Sequence, residues 1–323
     1  MARSRLISTL AVFAILSACG SSGSSGSSGN NSENGSTTIA TPDTGTTSNV
    51  STVGVKCMYS YSAFNSSASV STTSTADWFC DASNRTLSAN GIPDHDVGTF
   101  PNANNPNAIS QQAVSASFTL DPVLTSTVTI LGGPRGVTGY VLNGVKIDAG
   151  TAGSCNNSGG SCSLAGNVGS WNIEALGQDS FNFGDDANHA HVQPGGAYHY
   201  HGIPEGFVNR LNNGIEPTLI AWAADGFPIY ARYGYLNAMD ANSGIVVIES
   251  SYQLKASPDA SRPDVSLFSM GTFTQDYEYV AGLGDLDECN GRTGVTPEFP
   301  DGIYHYYATD GYPFLQRCMK GAP

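Results

Sequence analysis

Seven Asn-Gly or Asp-Gly dipeptides punctuate this chain beyond residue 89: Asn90-Gly91, Asn143-Gly144, Asn213-Gly214, Asp225-Gly226, Asn290-Gly291, Asp301-Gly302 and Asp310-Gly311. Such pairs accept positive φ at both central positions of a tight turn, so they favour short strands that double back on themselves. β-type stretches lie between them: Ser117 to Leu131, Gly139 to Ile147, Leu219 to Ala223, Pro228 to Tyr233, Ile245 to Leu254 and Tyr277 to Val280. Only Trp171 to Leu176 and Asp185 to His189 read as helical. The pattern predicts a mainly β fold, a single large antiparallel β-sandwich or partly closed barrel with long loops.

The first residues carry a different message. Arg3 and Arg5 precede an apolar run from Leu6 to Leu16, too short to span a bilayer and suited to the hydrophobic region of a signal peptide. Leu16-Ser-Ala-Cys-Gly20 resembles a bacterial lipoprotein box, which implies cleavage before Cys19 and acylation of its thiol. An ordinary signal peptide cut at a small residue is the alternative. From Gly20 to about residue 52 the chain is Ser, Gly, Asn and Thr, with too little apolar surface to offset ordering entropy. The expected organisation is a signal peptide over 1–18, a tether over 19–52 and one β domain over 53–323. The expected location is the cell envelope, lipid-anchored and outside the cytoplasm, on the outer membrane where the cell has one.

Six cysteines remain after Cys19: Cys57, Cys80, Cys155, Cys162, Cys289 and Cys318. An even number in an exported chain reads as three disulfides with fifteen possible connectivities. Proximity in sequence suggests Cys57 with Cys80, Cys155 with Cys162, and Cys289 with Cys318. A thiolate metal site is disfavoured, because no two of these cysteines have zinc-ribbon spacing. A net charge of −14 with only 13 Lys plus Arg argues against nucleic acid as a partner. Metal ions and small molecules fit that charge, the membrane is expected through the lipid on Cys19, and protein partners are not indicated.

Four of the six histidines lie in Asn188-His-Ala-His-Val-Gln-Pro-Gly-Gly-Ala-Tyr-His-Tyr-His-Gly202. A three-residue hairpin loop at Pro194-Gly-Gly196 would set His191 opposite His199 and His189 opposite His201. Residues two apart in a strand share a face, so all four imidazoles would project together, with cross-strand Cβ atoms roughly 4.5–5.5 Å apart. Tyr198 and Tyr200 would point the other way. His305, in Tyr304-His-Tyr306, is a fifth candidate ligand on another strand, and His95 in Pro93-Asp-His-Asp96 is a loop histidine or a sixth. Imidazole-rich sites suit copper or zinc, whereas calcium prefers oxygen donors. Hydrogen-bonded histidines in a polar core, or one metal-free acid/base histidine, are the competing readings.

Tyr198-His-Tyr-His201 with Asn188-His-Ala-His-Val-Gln-Pro194, Ala221-Trp-Ala-Ala-Asp-Gly-Phe-Pro-Ile-Tyr230, and Asp285-Leu-Asp-Glu-Cys-Asn-Gly-Arg292 followed by Tyr304-His-Tyr306 resemble the YHYH domain family. The resemblance runs from about Trp78 to Pro323, with Trp78-Phe-Cys80 and Gly91-Ile-Pro-Asp-His-Asp96 included. It bears on the domain rather than on a reaction.

Catalysis at a histidine-bound ion needs an open coordination position and nearby acid/base groups. Asp225, Asp287 and Glu288 are the weak catalytic candidates. Asp225 equally suits capping of its Asp-Gly turn, and Asp285, Asp287 and Glu288 equally suit a calcium site, or pairing with Arg292. Three functions compete: a metalloenzyme, a protein that captures or delivers metal without turnover, and a recognition module that binds carbohydrate or cell surface through aromatic side chains.

Overall fold

In the computed structural model, which describes residues 57–130 and 136–323, two of the seven dipeptides close tight hairpins. Gly144 (φ 81°) donates its N–H to the Val141 carbonyl at 2.8 Å and joins Gly139–Val141 to Lys146–Ile147. Gly226 (φ 87°) does the same with Ala223 at 2.9 Å and joins Thr218–Ala223 to Pro228–Ala231. The other five fall at strand ends or beyond the helix. The expected signal segment, Cys19 and the expected tether lie outside the described residues.

The protein is mainly β, as expected. Met58–Asn65, Thr72–Cys80, Asn84–Ala89 and Val114–Thr119 form a four-stranded antiparallel meander. A second sheet has eight strands in the spatial order Ala190–Val192, Tyr198–Tyr200, Lys146–Ile147, Gly139–Val141, Thr218–Ala223, Pro228–Ala231, Ile303–Ala308 and Gly291–Gly294. Its two end strands do not pair with each other, so no barrel closes. It is also mixed rather than antiparallel throughout: Tyr198–Tyr200 runs parallel to Lys146–Ile147, and Pro228–Ala231 parallel to Ile303–Ala308. Parallel neighbours require long crossover connections, and local turn signals do not report these.

Alternation along Thr72–Cys80 buries Ser74, Ala76 and Trp78, and the Trp78 indole donates to the Leu142 carbonyl at 2.8 Å, which ties the meander to the large sheet. One hydrophobic cluster includes residues of both sheets, among them Trp78, Leu87, Phe118, Val141, Trp222 and Tyr306. Every residue of Thr218–Ala223 is buried, the mark of a central strand covered on both faces. A smaller cluster of Cys155, Trp171, Ile173, Phe183 and Phe273 lies under the loops. The three disulfides are Cys57–Cys80, Cys155–Cys162 and Cys289–Cys318.

Both expected helices are corrected. Trp171–Asn172 is a short strand paired with Ser154–Cys155, and Asp185 to His189 is a loop whose turn is closed by the His189 N–H on the Asp186 carbonyl at 3.1 Å. The α-helix among the described residues is Glu205–Leu211, anchored by buried Phe207 and ended by Asn212 at φ 52°. Gly206 weakens its propensity, which hid it in the sequence. The structure needs that glycine, because a Cβ there would lie 2.7 Å from the His95 ring and from Asn188 Oδ1.

Candidate metal centre

The histidine hairpin forms in the register its symmetry implies. His191 pairs with His199, Ala190 with Tyr200 and Val192 with Tyr198. The loop turns at Gly195 (φ 95°) and Gly196 (φ 86°), and a Cβ on Gly196 would fall 2.0 Å from Ser110 Oγ, so a side chain is excluded there. Tyr198 and Tyr200 enter the main core at 1% and 0% exposure. The imidazoles take the opposite face.

Three of them converge. His191, His199 and His201 are 8%, 3% and 5% exposed, and each offers a ring nitrogen within 4.8 Å of those of the other two. Ring centroids are 4.5 Å apart for 191 and 199, 4.7 Å for 191 and 201, and 4.8 Å for 199 and 201. The Nε2 atoms of His191 and His201 are 3.3 Å apart. Two nitrogens bound tetrahedrally at about 2.0–2.1 Å lie about 3.3–3.4 Å from each other, so this pair already has the separation of two ligands on one zinc-sized ion. A proton shared between two neutral rings accounts for the same distance.

Hydrogen bonds set the tautomers. His191 Nδ1 lies 2.6 Å from Asp185 Oδ1, and His199 Nδ1 lies 3.2 Å from the Ala197 carbonyl. Both partners only accept, so both Nδ1 atoms carry a proton and both Nε2 atoms turn toward the cluster. An outer carboxylate that fixes and polarises a ligand imidazole is what Asp185 supplies. Phe183 stacks on His191 at 5.7 Å and closes that side. Burial, with the nearby His191 and Lys146, holds His199 well below the ordinary histidine range; burial, with His191, His199 and Arg317, does the same for His201. Both are therefore neutral at pH 7, the form that binds metal. The donor set fits a transition metal such as zinc or copper.

The family described as YHYH protein matches residues 115–321 of the 323-residue chain. The chain belongs to the YHYH family. No curated protein and no solved structure matches it. The match begins inside the fourth strand of the meander, so Trp78-Phe-Cys80 and Gly91 to Asp96 lie outside it.

In this YHYH protein the remaining candidates are dispersed. His189 does not join the three: at φ 55° it breaks the strand alternation, and its Nδ1 bonds the Ile203 carbonyl at 2.8 Å. His305 does lie on a strand, Ile303–Ala308, but among Tyr230 and Tyr307, with Nδ1 on the Ile303 carbonyl at 2.9 Å and Nε2 3.2 Å from Tyr307 Oη. His95 is buried rather than exposed. Its Nδ1 donates to the Asp96 carbonyl at 2.8 Å, so its Nε2 accepts from Tyr200 Oη at 2.6 Å.

The acidic candidates have structural partners too. Asp225 caps its own turn through the Phe227 N–H at 3.3 Å and accepts from Tyr306 Oη at 2.6 Å and the Gly321 N–H at 3.0 Å; burial raises its pKa. Asp287 accepts from the Cys289 and Gly291 N–H groups at 2.9 and 3.1 Å and from Tyr304 Oη. Glu288 pairs with Lys320 at 2.6 Å, and Asp285 accepts from the Glu249 N–H at 2.9 Å. Lys320, rather than Arg292, neutralises this acidic loop; Arg292 donates to the Tyr235 carbonyl at 2.8 Å. A cleft of about 500 Å³ opens here, lined by Asp285, Asp287, Arg292, Tyr304 and Lys320. Among the described residues the three histidines are the one cluster of at least three metal-ligating groups, so these carboxylates form no calcium cage.

Sequence reasoning missed Asp185, Lys146 and Asp148. Asp185 stands six residues before His191, within reach of a local search. Lys146 and Asp148 arrive through the parallel strand, and nothing in local spacing announces them.

Proposed function

We propose that this protein binds a transition-metal ion, copper or zinc, through His191, His199 and His201, and that it does so outside the cytoplasm, held to a membrane by a lipid on Cys19. One observation carries the metal reading: three buried imidazoles, His199 and His201 held neutral by burial, with ligating nitrogens within 4.8 Å of one another and outer bonds that fix the His191 and His199 rings through Nδ1. Leu16-Ser-Ala-Cys-Gly20 and the Ser/Gly tether support the anchored location. Burial of all three rings favours capture and retention over turnover, since a catalytic ion keeps a position open to substrate.

A metalloenzyme is the second reading, a copper oxidoreductase or a zinc hydrolase. It requires an opening beside His201, where Thr151, Glu174, Leu176, Phe314 and Arg317 now close together with no room for a water molecule. There the metal would supply a polarising centre, and Glu174 and Arg317, which pair at 2.7 Å, would orient a polar substrate.

Elemental analysis after equilibration with zinc or copper tests the reading. About one ion per wild-type chain is expected, and a His199→Ala/His201→Ala double variant should lose it. Wild-type protein without near-stoichiometric metal removes both readings and leaves a shared proton as the role of the cluster. In copper-loaded protein, an electron paramagnetic resonance spectrum unchanged by azide supports retention, and a perturbed one supports the enzyme.

A further inference from the structure

The parallel strand brings a fourth donor to the triad. His199 pairs with Lys146 and Tyr200 with Ile147, and the Asp148 N–H donates to the Tyr200 carbonyl at 3.1 Å. Ile147 and Tyr200 are both fully buried in the main core. Strand alternation therefore puts Lys146 and Asp148 on the imidazole face. There, Asp148 Oδ2 lies 3.9 Å from His199 Nε2 and 2.7 Å from Lys146 Nζ. Asp148 Oδ1 is buried and has no hydrogen-bond partner among the described residues. An anionic oxygen held this way is costly, because burial removes water and nothing replaces it.

The orientation of His199 sharpens the problem. Its Nδ1 proton goes to the Ala197 carbonyl, so Nε2 presents a lone pair toward a carboxylate oxygen. Two acceptors at 3.9 Å do not hydrogen-bond to each other. They do stand within reach of one ion, since metal–nitrogen and metal–oxygen bonds of about 2.0–2.2 Å sum to slightly more than that gap.

We propose that Asp148 is the fourth, anionic ligand of the centre, and that Lys146 is the cation that competes with the metal for it. The proposal rests on the metal reading of the triad. Three neutral imidazoles and one carboxylate favour a divalent ion, Zn(II) or Cu(II), over Cu(I), which prefers soft donors. Were Asp148 to turn from Lys146 and close its present 3.9 Å gap to His199 Nε2, four protein ligands would enclose the ion, the closed arrangement of a site that retains it. Lys146 also bonds Gln193 beside the hairpin loop, so the lysine has a second partner when the carboxylate turns to the ion.

Cobalt(II) reports coordination directly through its visible absorption, so it is the probe for wild type, Asp148→Asn, Lys146→Gln and His199→Ala. Asp148→Asn should shift the visible bands and weaken Co(II) and Zn(II) binding at least tenfold, with Cu(I) binding changed less than threefold. Lys146→Gln should keep the wild-type bands and bind Zn(II) more tightly, by threefold or more. An Asp148→Asn protein with wild-type bands and affinity within twofold overturns the fourth ligand while the triad stands. A Lys146→Gln protein with unchanged or weaker affinity overturns the competition. Wild type that binds neither Co(II) nor Zn(II) any better than His199→Ala defeats the triad reading itself.

Discussion

Two Tyr-His-Tyr strings lie in the same sheet and meet opposite fates. In Tyr198–Tyr200 the tyrosines face the core and the histidine meets two other imidazoles. In Tyr304–Tyr306 the histidine itself is fully buried, 5.2 Å from the Tyr230 ring and 5.1 Å from the Tyr307 ring, while Tyr304 and Tyr306 bond Asp287 and Asp225. The motif is the same, and the strand next door decides its chemistry. His199 lies opposite His191 across an antiparallel pair, whereas His305 lies opposite Arg292. Each ring has a cation beside it, Lys146 at His199 and Arg292 at His305, and each cation opposes protonation; what separates the strings is that His199 also meets two other imidazoles and His305 meets tyrosines.

The largest effect that can break this contrast is metal-dependent stability. A ligand that binds only the folded state stabilises it by about 4 kcal/mol at a thousandfold excess over its dissociation constant. Thermal unfolding of wild type with and without excess zinc should show that shift, and His305→Gln should show it too, on a lower baseline. His199→Ala should show none. Equal loss of the shift in both variants would erase the distinction between the strings.

A somewhat smaller effect follows from His305 alone. Burial, reinforced by Arg292, lowers its pKa to about 4. The unfolded chain, with an ordinary histidine near 6.5, then binds more protons than the folded one between about pH 4 and 6.5. Stability from His305 is complete above pH 6.5 and is lost as the pH falls toward 4, by on the order of 3 kcal/mol at 1.36 kcal/mol per unit. Urea unfolding of wild type and His305→Gln at pH 7.5 and 4, both with chelator present, measures it. The variant should lose less stability on acidification, and an identical loss would show that His305 does not titrate as a buried ring.

Legibility in the sequence tracked the range of the interaction. The hairpin register was readable because Pro194-Gly-Gly196 and the flanking symmetry are local, and so were the tyrosines' inward face and the three cysteine pairings. His189 was misjudged for a reason two residues away: the turn from Asp186 forces it to φ 55° and swings its ring off the shared face. Asp148 was invisible, because a parallel neighbour arrives through a crossover that leaves no periodic trace near the histidines. The helix at Glu205–Leu211 was hidden by the glycine that lets it approach His95.

The finest test of the contrast lies one bond outside the triad. His191 is set by a carboxylate, Asp185 Oδ1 at 2.6 Å, whereas the Nδ1 of His305 is set by its own strand's carbonyl at Ile303. A carboxylate raises the basicity of the ligand it holds, and removing such a partner lowers metal affinity about 10–100-fold. Asp185→Asn preserves shape and the capacity to accept a hydrogen bond while deleting the charge. Its zinc affinity, measured by competition with a chromogenic chelator, should fall within that range, with folding and stoichiometry retained. An unchanged affinity would mean that Asp185 only orients the ring, and the difference between the two strings would then reside wholly in which imidazoles the hairpin brings face to face.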